Sequence, residues 1–551
     1  MFLQARRLCL RIPLLMGAAS LSILFAGDFV NGSLPWHEAV LDPNQRLLAW
    51  YQPQRNAGYD KVIRLAWNFM EHKIPEDTRH GTGLKVYLVD TLFDDNTLQG
   101  YDWWQHNPPS TFGQFVDSVV SWYAYSGDSE AIAVVGQMLD YQLTHGTTPA
   151  DWEWSHVPLA TSCSGDREYG HCLEGMPRGF FGGVEPDKVG ELGNGYALFY
   201  PLTGKSQYLD AAINCAQALA KHVRTGDADH TPWPFRLNAR SGEVILDEEY
   251  GGMIVAPVRL FDQLIRLKAG DVKRFREARE TAWNWILKQP LNPESRAWNS
   301  WTGYFADQAY DRENINQALP TMTAFYILSR EDPSTVDKDW QAHAGGLIDW
   351  VRNKLGRGPY FGAWAIDEQG RPDGRACCSR AGLGSDTSRW GAINALYFER
   401  TGDAQAREDA FRSLNYASYF TASDGRVSCC GDDYKGQYEF DDGYSDYIRN
   451  FLWAMGAIPE FAPKGANHLL RSSSVVQQVA YGARKIVYRT FDANATEVLR
   501  LNFRPTNIRA GATVLPEETE LRGESYSIRR LPGGDYVLHL RHRSSNEVNI
   551  S

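Results

Sequence analysis

The sequence predicts an all-α barrel of six helical hairpins, (α/α)6, followed by a small C-terminal antiparallel β domain. Three observations predict it. Short turn signals recur at Tyr125–Asp128 (YSGD), Leu202–Lys205 (LTGK), Lys268–Asp271 (KAGD), Ser329–Asp332 (SRED) and Arg400–Asp403 (RTGD), in steps of 61 to 77 residues. Apolar residues at helical spacing flank each signal, as in FGQFVDSVVSWYAY before the first and SEAIAVVGQMLDYQL after it. After Pro459 the pattern changes to short alternating runs punctuated by Pro505, Pro516 and Pro532-Gly533-Gly534.

Each element has a local cause. A glycine just past a helix adopts the left-handed conformation at no Cβ cost, and an aspartate after it can cap the next helix. A Gly-Asp step, present in three of the five signals, therefore joins two antiparallel helices tightly, and with LTGK and SRED taken as turns of the same kind five hairpins are visible. Two unpaired helical stretches remain, Gln45–Phe69, broken near Pro53, and Gly443–Ala457. Paired with one another, they make the sixth hairpin. The runs Val475–Tyr481, Ile486–Phe491, Val498–Phe503, Tyr526–Ile528 and Tyr536–Arg541 read as strands of a sandwich.

The expected domains are a signal peptide over 1–27, the barrel over 28–462 and the β domain over 463–551. Arg6, Arg7 and Arg11 precede an apolar stretch, Ile12–Ala26, that is short for a membrane span. The reading is export, to the periplasm or outside the cell, with no membrane association after signal removal. The chain has 551 residues, a formal charge of −11 and no long basic run, which argues against a nucleic-acid partner. Aromatic residues make up 13% of it, 18 of them Trp and 27 Tyr.

The hairpin repeat over roughly residues 40 to 460 resembles the six-hairpin glycosidase superfamily. The resemblance rests on repeat topology, so it implies the fold more strongly than the reaction. In that superfamily the β domain commonly buttresses the barrel. A separate sugar-binding module is the other reading of it.

Turns from inner to outer helices are tight. The return connections, about 144–189, 222–249, 289–313, 355–386 and 421–442, are long and predicted to lack structure of their own, which usually marks function. All five emerge above the N-termini of the inner helices. They carry Trp154, Trp233, Trp298, Trp301, Tyr304 and Phe361, while Trp103, Trp104 and His106 precede the first inner helix. Aromatic faces stack on the C–H face of a sugar ring, so an oligo- or polysaccharide is the expected partner. Trp103, Trp104, His106, Trp154, Glu191, Trp233, Tyr250, Trp301 and Tyr304 are the candidate substrate-binding residues. For any single Trp, packing the loop onto the barrel is the plainer role.

The same rim gathers carboxylates. Glu185, Asp187 and Glu191 lie around the start of the second inner helix, Glu248 and Glu249 precede the third, Asp386 the fifth, and Asp441 and Asp442 the sixth. Glycoside hydrolysis needs one protonated carboxyl and one ionised carboxylate, held apart in pKa by their surroundings. Glu249 and Asp442 are the candidate acid and base, Asp386 supports them, and Glu248 and Asp441 are their alternates. A carboxylate ahead of a helix can instead be a cap, above all Asp386 and Asp442.

Cys163 and Cys172 are the expected partners of one disulfide. The pairs Cys377-Cys378 and Cys429-Cys430 sit on two consecutive rim loops, where they staple the loops by disulfides or bind Zn²⁺ as thiolates. Their order also resembles the β-L-arabinofuranosidases, which carry a Cys before a hairpin and a Cys-Cys pair after it. That resemblance implies Cys378, Cys429 and Cys430 as zinc ligands, one of the last two being the nucleophile. The chain departs from that family, with Ala376 or Arg375 in place of its glutamate and Gly431-Asp432 in place of its Pro-Asn. Apart from this zinc no cofactor is expected. Cys215, inside a helical pattern, reads as a buried free thiol.

The leading expectation is a secreted glycoside hydrolase. The runner-up is a polysaccharide lyase acting on uronate-containing glycans, with Tyr250, His171, Arg167, Arg178 and Arg236 available to it. A glycan-binding protein without chemistry is the third.

Overall fold

A computed structural model describes residues 36–51, 58–77, 84–85, 92–94, 96–100, 108–160, 180–246, 253–301, 315–370, 382–428, 437–439 and 441–551. Twelve α-helices lie among them. They are α1 (Asp60–His72), α2 (Pro108–Ser126), α3 (Ser129–His145), α4 (Pro186–Thr203), α5 (Ser206–His222), α6 (Val255–Leu267), α7 (Val272–Lys288), α8 (Ala318–Leu328), α9 (Trp340–Leu355), α10 (Gly384–Thr401), α11 (Ala404–Ser418) and α12 (Tyr447–Ala457).

The even-numbered helices are the inner ones. Each touches the next, from α2 through α4, α6, α8 and α10 to α12, and α12 touches α2. Each odd helix from α3 to α11 packs on the inner helix before it, and α1 packs on α12, as the pairing of the two orphan stretches requires. Asp128, Asp271 and Asp403 accept N-cap hydrogen bonds at the starts of α3, α7 and α11. Gly204 and Gly402 end α4 and α10 in the left-handed conformation. The fourth turn is the exception. It runs through a 3₁₀ turn at Pro333–Thr335 before α9 begins, because Pro333 interrupts helical continuation.

Glycines on α4 allow its close packing. A Cβ on Gly190 would lie 2.3 Å from the backbone N of Pro257 on α6, and one on Gly193 2.6 Å from Leu260. The glycine-rich run VGELGNG is thus a helix whose backbone approaches its neighbours closely.

The sequence reading differs from the structure in three places. Leu47–Leu48 pairs with Val40–Leu41 as a short antiparallel ladder rather than forming helix. The long connections carry strands, and these join one connection to another: Gly183–Val184 pairs with Arg236–Asn238, Ile315–Asn316 with Gln369–Gly370, and Leu92–Asp94 with Gln437–Glu439. Such two- and three-residue runs are too short to show alternation. Third, α12 is preceded by a π-helical turn at Asp441–Asp446.

The C-terminal region forms nine strands: β1 (His468–Ser472), β2 (Val476–Gly482), β3 (Lys485–Thr490), β4 (Ala495–Leu501), β5 (Ile508–Ala510), β6 (Thr513–Val514), β7 (Ser525–Arg530), β8 (Tyr536–His542) and β9 (Glu547–Ile550). They make two antiparallel sheets, ordered β1-β4-β8-β7 and β2-β3-β9-β5-β6. Leu469, Ile486, Tyr488, Leu499, Leu501, Leu538, Leu540 and Ile550 fill the core they share. The sequence pattern misses β1, β5, β6 and β9. The segment between α12 and β1 is clamped: Arg500 donates to the carbonyls of Pro459 and Ala462, at 3.0 and 2.5 Å, and its guanidinium pairs with Asp535 at 2.9 Å.

These sheets sit against the C-terminal ends of the inner helices. His468 stacks on Tyr125 at the end of α2, and its Nδ1 lies 2.9 Å from the Tyr125 carbonyl. Gln477 donates to the carbonyl of Pro201 on α4 at 2.8 Å. Arg266 of α6 pairs with Asp492, Glu331 beyond α8 with Arg541, and Glu399 of α10 with Arg471. The tight-turn face is therefore covered, and the N-terminal ends of the inner helices point to the opposite face, where the long connections are. Among the described residues no helix is long and apolar enough to cross a membrane.

Candidate active site on the long-connection face

The N-terminal halves of the inner helices deliver a belt of buried polar side chains. On α10, Asp386 lies in the first turn and Arg389 one turn later, so the two share a side of the helix. Asp386 Oδ1 accepts hydrogen bonds from Gln317 Nε2, just ahead of α8, at 2.6 Å and from Arg389 Nη1 at 3.1 Å. Arg389 also donates to Asp446, at the end of the π-turn before α12. Arg449, one turn further along, donates through Nε to Asp446 Oδ1 at 2.6 Å and through Nη1 to Asp117 Oδ2 of α2 at 3.1 Å. Asp117 in turn accepts from Arg259 of α6, at 3.1 and 3.0 Å.

One chain of ion pairs thus links four inner helices, α10, α12, α2 and α6, and the Gln317 amide ties it to the start of α8. It holds three carboxylates and three guanidinium groups, a balance that a low-dielectric interior demands. Asp117, Asp386, Asp446, Arg389 and Arg449 are all buried.

The remaining inner helix, α4, supplies a second cluster. Glu185 meets Arg236 Nε at 2.5 Å, and both side chains are fully buried. Arg236 is placed there by the strand that pairs with Gly183–Val184. Burial lifts the Glu185 carboxyl above its usual range, against the pull of Arg236. Lys188 Nζ lies 3.0 Å from Asp187. Burial lowers the Lys188 pKa, but Asp187, Glu191 and Glu185 together hold it above its ordinary value. Glu191 accepts from Ser110 Oγ of α2 at 2.7 Å. Ser110 accepts from Gln114, which accepts from Ser445, so this cluster reaches the start of α12.

The structure brings Asp386 and Glu191, two of the expected site residues, into this polar region. Trp154, Trp233 and Trp301, expected to stack on sugar, lie in the core instead, at 1%, 1% and 0% exposure. Trp233 donates to the Leu219 carbonyl at 2.9 Å, and Trp154 stacks on His222. These rings pack the connections onto the helices, where burial of a large aromatic stabilises more than exposure would. Among the described residues, the large aromatics that the connections expose are Trp298, Phe181 and Phe361, at 52%, 41% and 41%.

Glu248, Glu249, Tyr250, Trp103, Trp104, His106 and Tyr304 lie outside the described residues, as do Cys163, Cys172, Cys377, Cys378, Cys429, Cys430 and the signal segment. Asp441 and Asp442 open the π-turn, with side chains outside the described set. Cys215 is a free, buried thiol, pushed up to about 12 by desolvation.

Sequence reasoning missed Asp117, Arg259, Asp446, Arg449, Arg389 and Gln317. A signal was present: Asp and Arg at i,i+3 in SDTSR and SDYIR, and lone charges inside the apolar runs FVDSVV and VRLF. Charges at inward positions of buried helices must find partners across the interior.

No protein-family model matches the chain. No curated protein matches it either. Among solved structures the chain is similar to a sugar epimerase from a ruminal bacterium, at 10% identity over 72% of this chain and 97% of that one, with a TM-score of 0.48. It is also similar to the cellobiose 2-epimerase of Bacillus thermoamylovorans, at 10% identity over 71% and 99%, TM-score 0.49. A third is an unsaturated glucuronyl hydrolase specific for heparin, at 12% identity over 73% and 99%, TM-score 0.45.

Proposed function

We propose that this protein is an exported glycoside hydrolase that cleaves an oligo- or polysaccharide at the long-connection face of a closed (α/α)6 barrel. The observation that carries the reading is the belt of buried carboxylate, amide and guanidinium groups at the N-terminal ends of α4, α8, α10 and α12, on the face turned away from the sheets. A polyhydroxylated ligand needs such mixed donors and acceptors, and glycosidic cleavage needs paired carboxyls.

Glu249 and Asp442 supply the acid and the base. One protonates the departing glycosidic oxygen while the other activates water or attacks the anomeric carbon. Asp386 supports them, its carboxylate fixed by Gln317 and Arg389. Arg236 is engaged by Glu185 in the core, which leaves it poorly placed to neutralise a substrate uronate.

The test incubates the full-length protein with a panel of oligo- and polysaccharides and follows new reducing ends. Glu249→Gln and Asp442→Asn abolish turnover, and Asp386→Asn lowers it by about 10²-fold or more. Full activity in the first two variants refutes the assignment. Products that absorb in the ultraviolet through a new double bond identify a lyase instead.

A further inference from the structure

Away from the long-connection face, α1 meets α3 in a group of side chains that the proposed reaction does not use. Glu71 and His72 end α1, and Glu130 lies in the first turn of α3. One ligand atom from each lies within 4.8 Å of the other two, the only such group of three among the described residues. His72 approaches Glu71 Oε2 at 3.9 Å through Nε2 and Glu130 Oε1 at 3.7 Å through Nδ1.

Glu71 is unlike an ordinary surface carboxylate. Its side chain is 5% exposed, and Oε1 has no hydrogen-bond donor. Behind it stands Asp128, whose oxygens already accept from the Glu130 amide and the Trp122 indole. The Lys85 ammonium is turned to the main-chain carbonyls of Ile74 and Glu71. Two carboxyl groups therefore face one imidazole. A buried carboxylate oxygen that accepts no hydrogen bond is a ready ligand for a cation.

We infer that Glu71, His72 and Glu130 form a binding site for a divalent transition-metal ion that ties α1 to α3. An imidazole beside two carboxylates suits Zn²⁺, Co²⁺ or Mn²⁺ rather than Ca²⁺, which takes oxygen ligands only. Metal–ligand bonds of about 2.0–2.2 Å require the donor atoms to close in by roughly an ångström. His72 and Glu130 are half exposed or more and free to rotate by that much. Water completes the coordination.

The test titrates chelator-stripped, full-length protein with Co²⁺ and follows both heat and the visible spectrum. The expected result is one ion bound with nitrogen and oxygen ligands and no thiolate charge-transfer band, which separates this site from the cysteines. His72→Ala/Glu130→Ala alters two exposed side chains, folds as the parent does, and weakens binding tenfold or more. Glu71→Gln weakens it similarly. Saturating Zn²⁺ raises the Tm of the parent and not of the double variant. Equal Co²⁺ affinity in parent and double variant overturns the inference, as does a preference for Ca²⁺ over Zn²⁺ and Co²⁺.

Discussion

Asp446→Asn tests whether the buried ion-pair chain holds the inner helices together. Asp446 is fully buried between Arg389 and Arg449, and Arg449 also carries Asp117, which carries Arg259. The parent chain is neutral. The substitution leaves one guanidinium charge uncompensated in the interior, and breaking a buried pair in this way costs about 3–5 kcal/mol. Unfolding entropy is about 2.1 cal/mol/K per residue, so roughly 400 residues between the starts and ends of α1 and α12 give about 0.8 kcal/mol/K. The expected fall in Tm is therefore about 4–6 °C, read by calorimetry at one fixed scan rate. Adding Arg449→Met removes the excess charge and leaves the pairs Arg389–Asp386 and Arg259–Asp117, so the double variant recovers part of the loss. The exposed pair Arg296–Asp229 is the control: Arg296→Ala moves stability by less than about 1 kcal/mol. A Tm within about 1 °C of the parent for Asp446→Asn, or a loss that disappears in high salt, refutes the reasoning, since a screened network is a solvated one.

Three further outcomes rest on burial. Desolvation raises Asp367 to about 6, in spite of Arg357 2.6 Å away. The folded state then binds more protons than the unfolded state between pH 4 and 6, so this group lowers stability as pH rises through that window, by up to about 3 kcal/mol. Urea unfolding of the parent and Asp367→Asn at pH 4.5 and pH 7 checks the sign, and a parent that gains stability relative to the variant with rising pH contradicts it. Gly190→Ala drives a Cβ into the Pro257 backbone and destabilises by about 1–3 kcal/mol; an unchanged Tm counts against the close α4–α6 packing. Cys215 resists alkylation in the native protein and reacts once denatured, as peptide mapping by mass spectrometry would show; native labelling at that residue contradicts its burial.

The hairpins were legible because each boundary is a local event. Gly127, Gly204, Gly270 and Gly402 need the left-handed conformation, and Asp128, Asp271 and Asp403 each cap the helix after the turn. The pairing of α1 with α12 was legible too, since two leftover helices have only each other to cover their apolar faces. The ladders between connections were not, because Ile315–Asn316 and Gln369–Gly370 become strands only by meeting. Burial within the connections was equally hidden. Trp298 and Trp301 are three residues apart in the same connection, yet one is half exposed and the other is core.

The candidate site divides along the same line. Asp386 was found because it stands near the start of a helix on the long-connection rim, although it lies within the first turn of α10 and Leu383, not Asp386, is the N-cap. Asp446 and Arg449 were passed over because SDYIRN reads as an ordinary helix start. What gives those residues meaning is the neighbouring helix, which brings Arg389 to Asp446 and Asp117 to Arg449. The sheets act on the opposite end. By gripping Tyr125, Pro201, Glu331 and Glu399 they fix the C-terminal ends of α2, α4 and α10 and the turn beyond α8. Helices held at one end and cross-linked by ion pairs in their other halves keep their N-termini in register, and chemistry shared among side chains from several helices requires that rigidity.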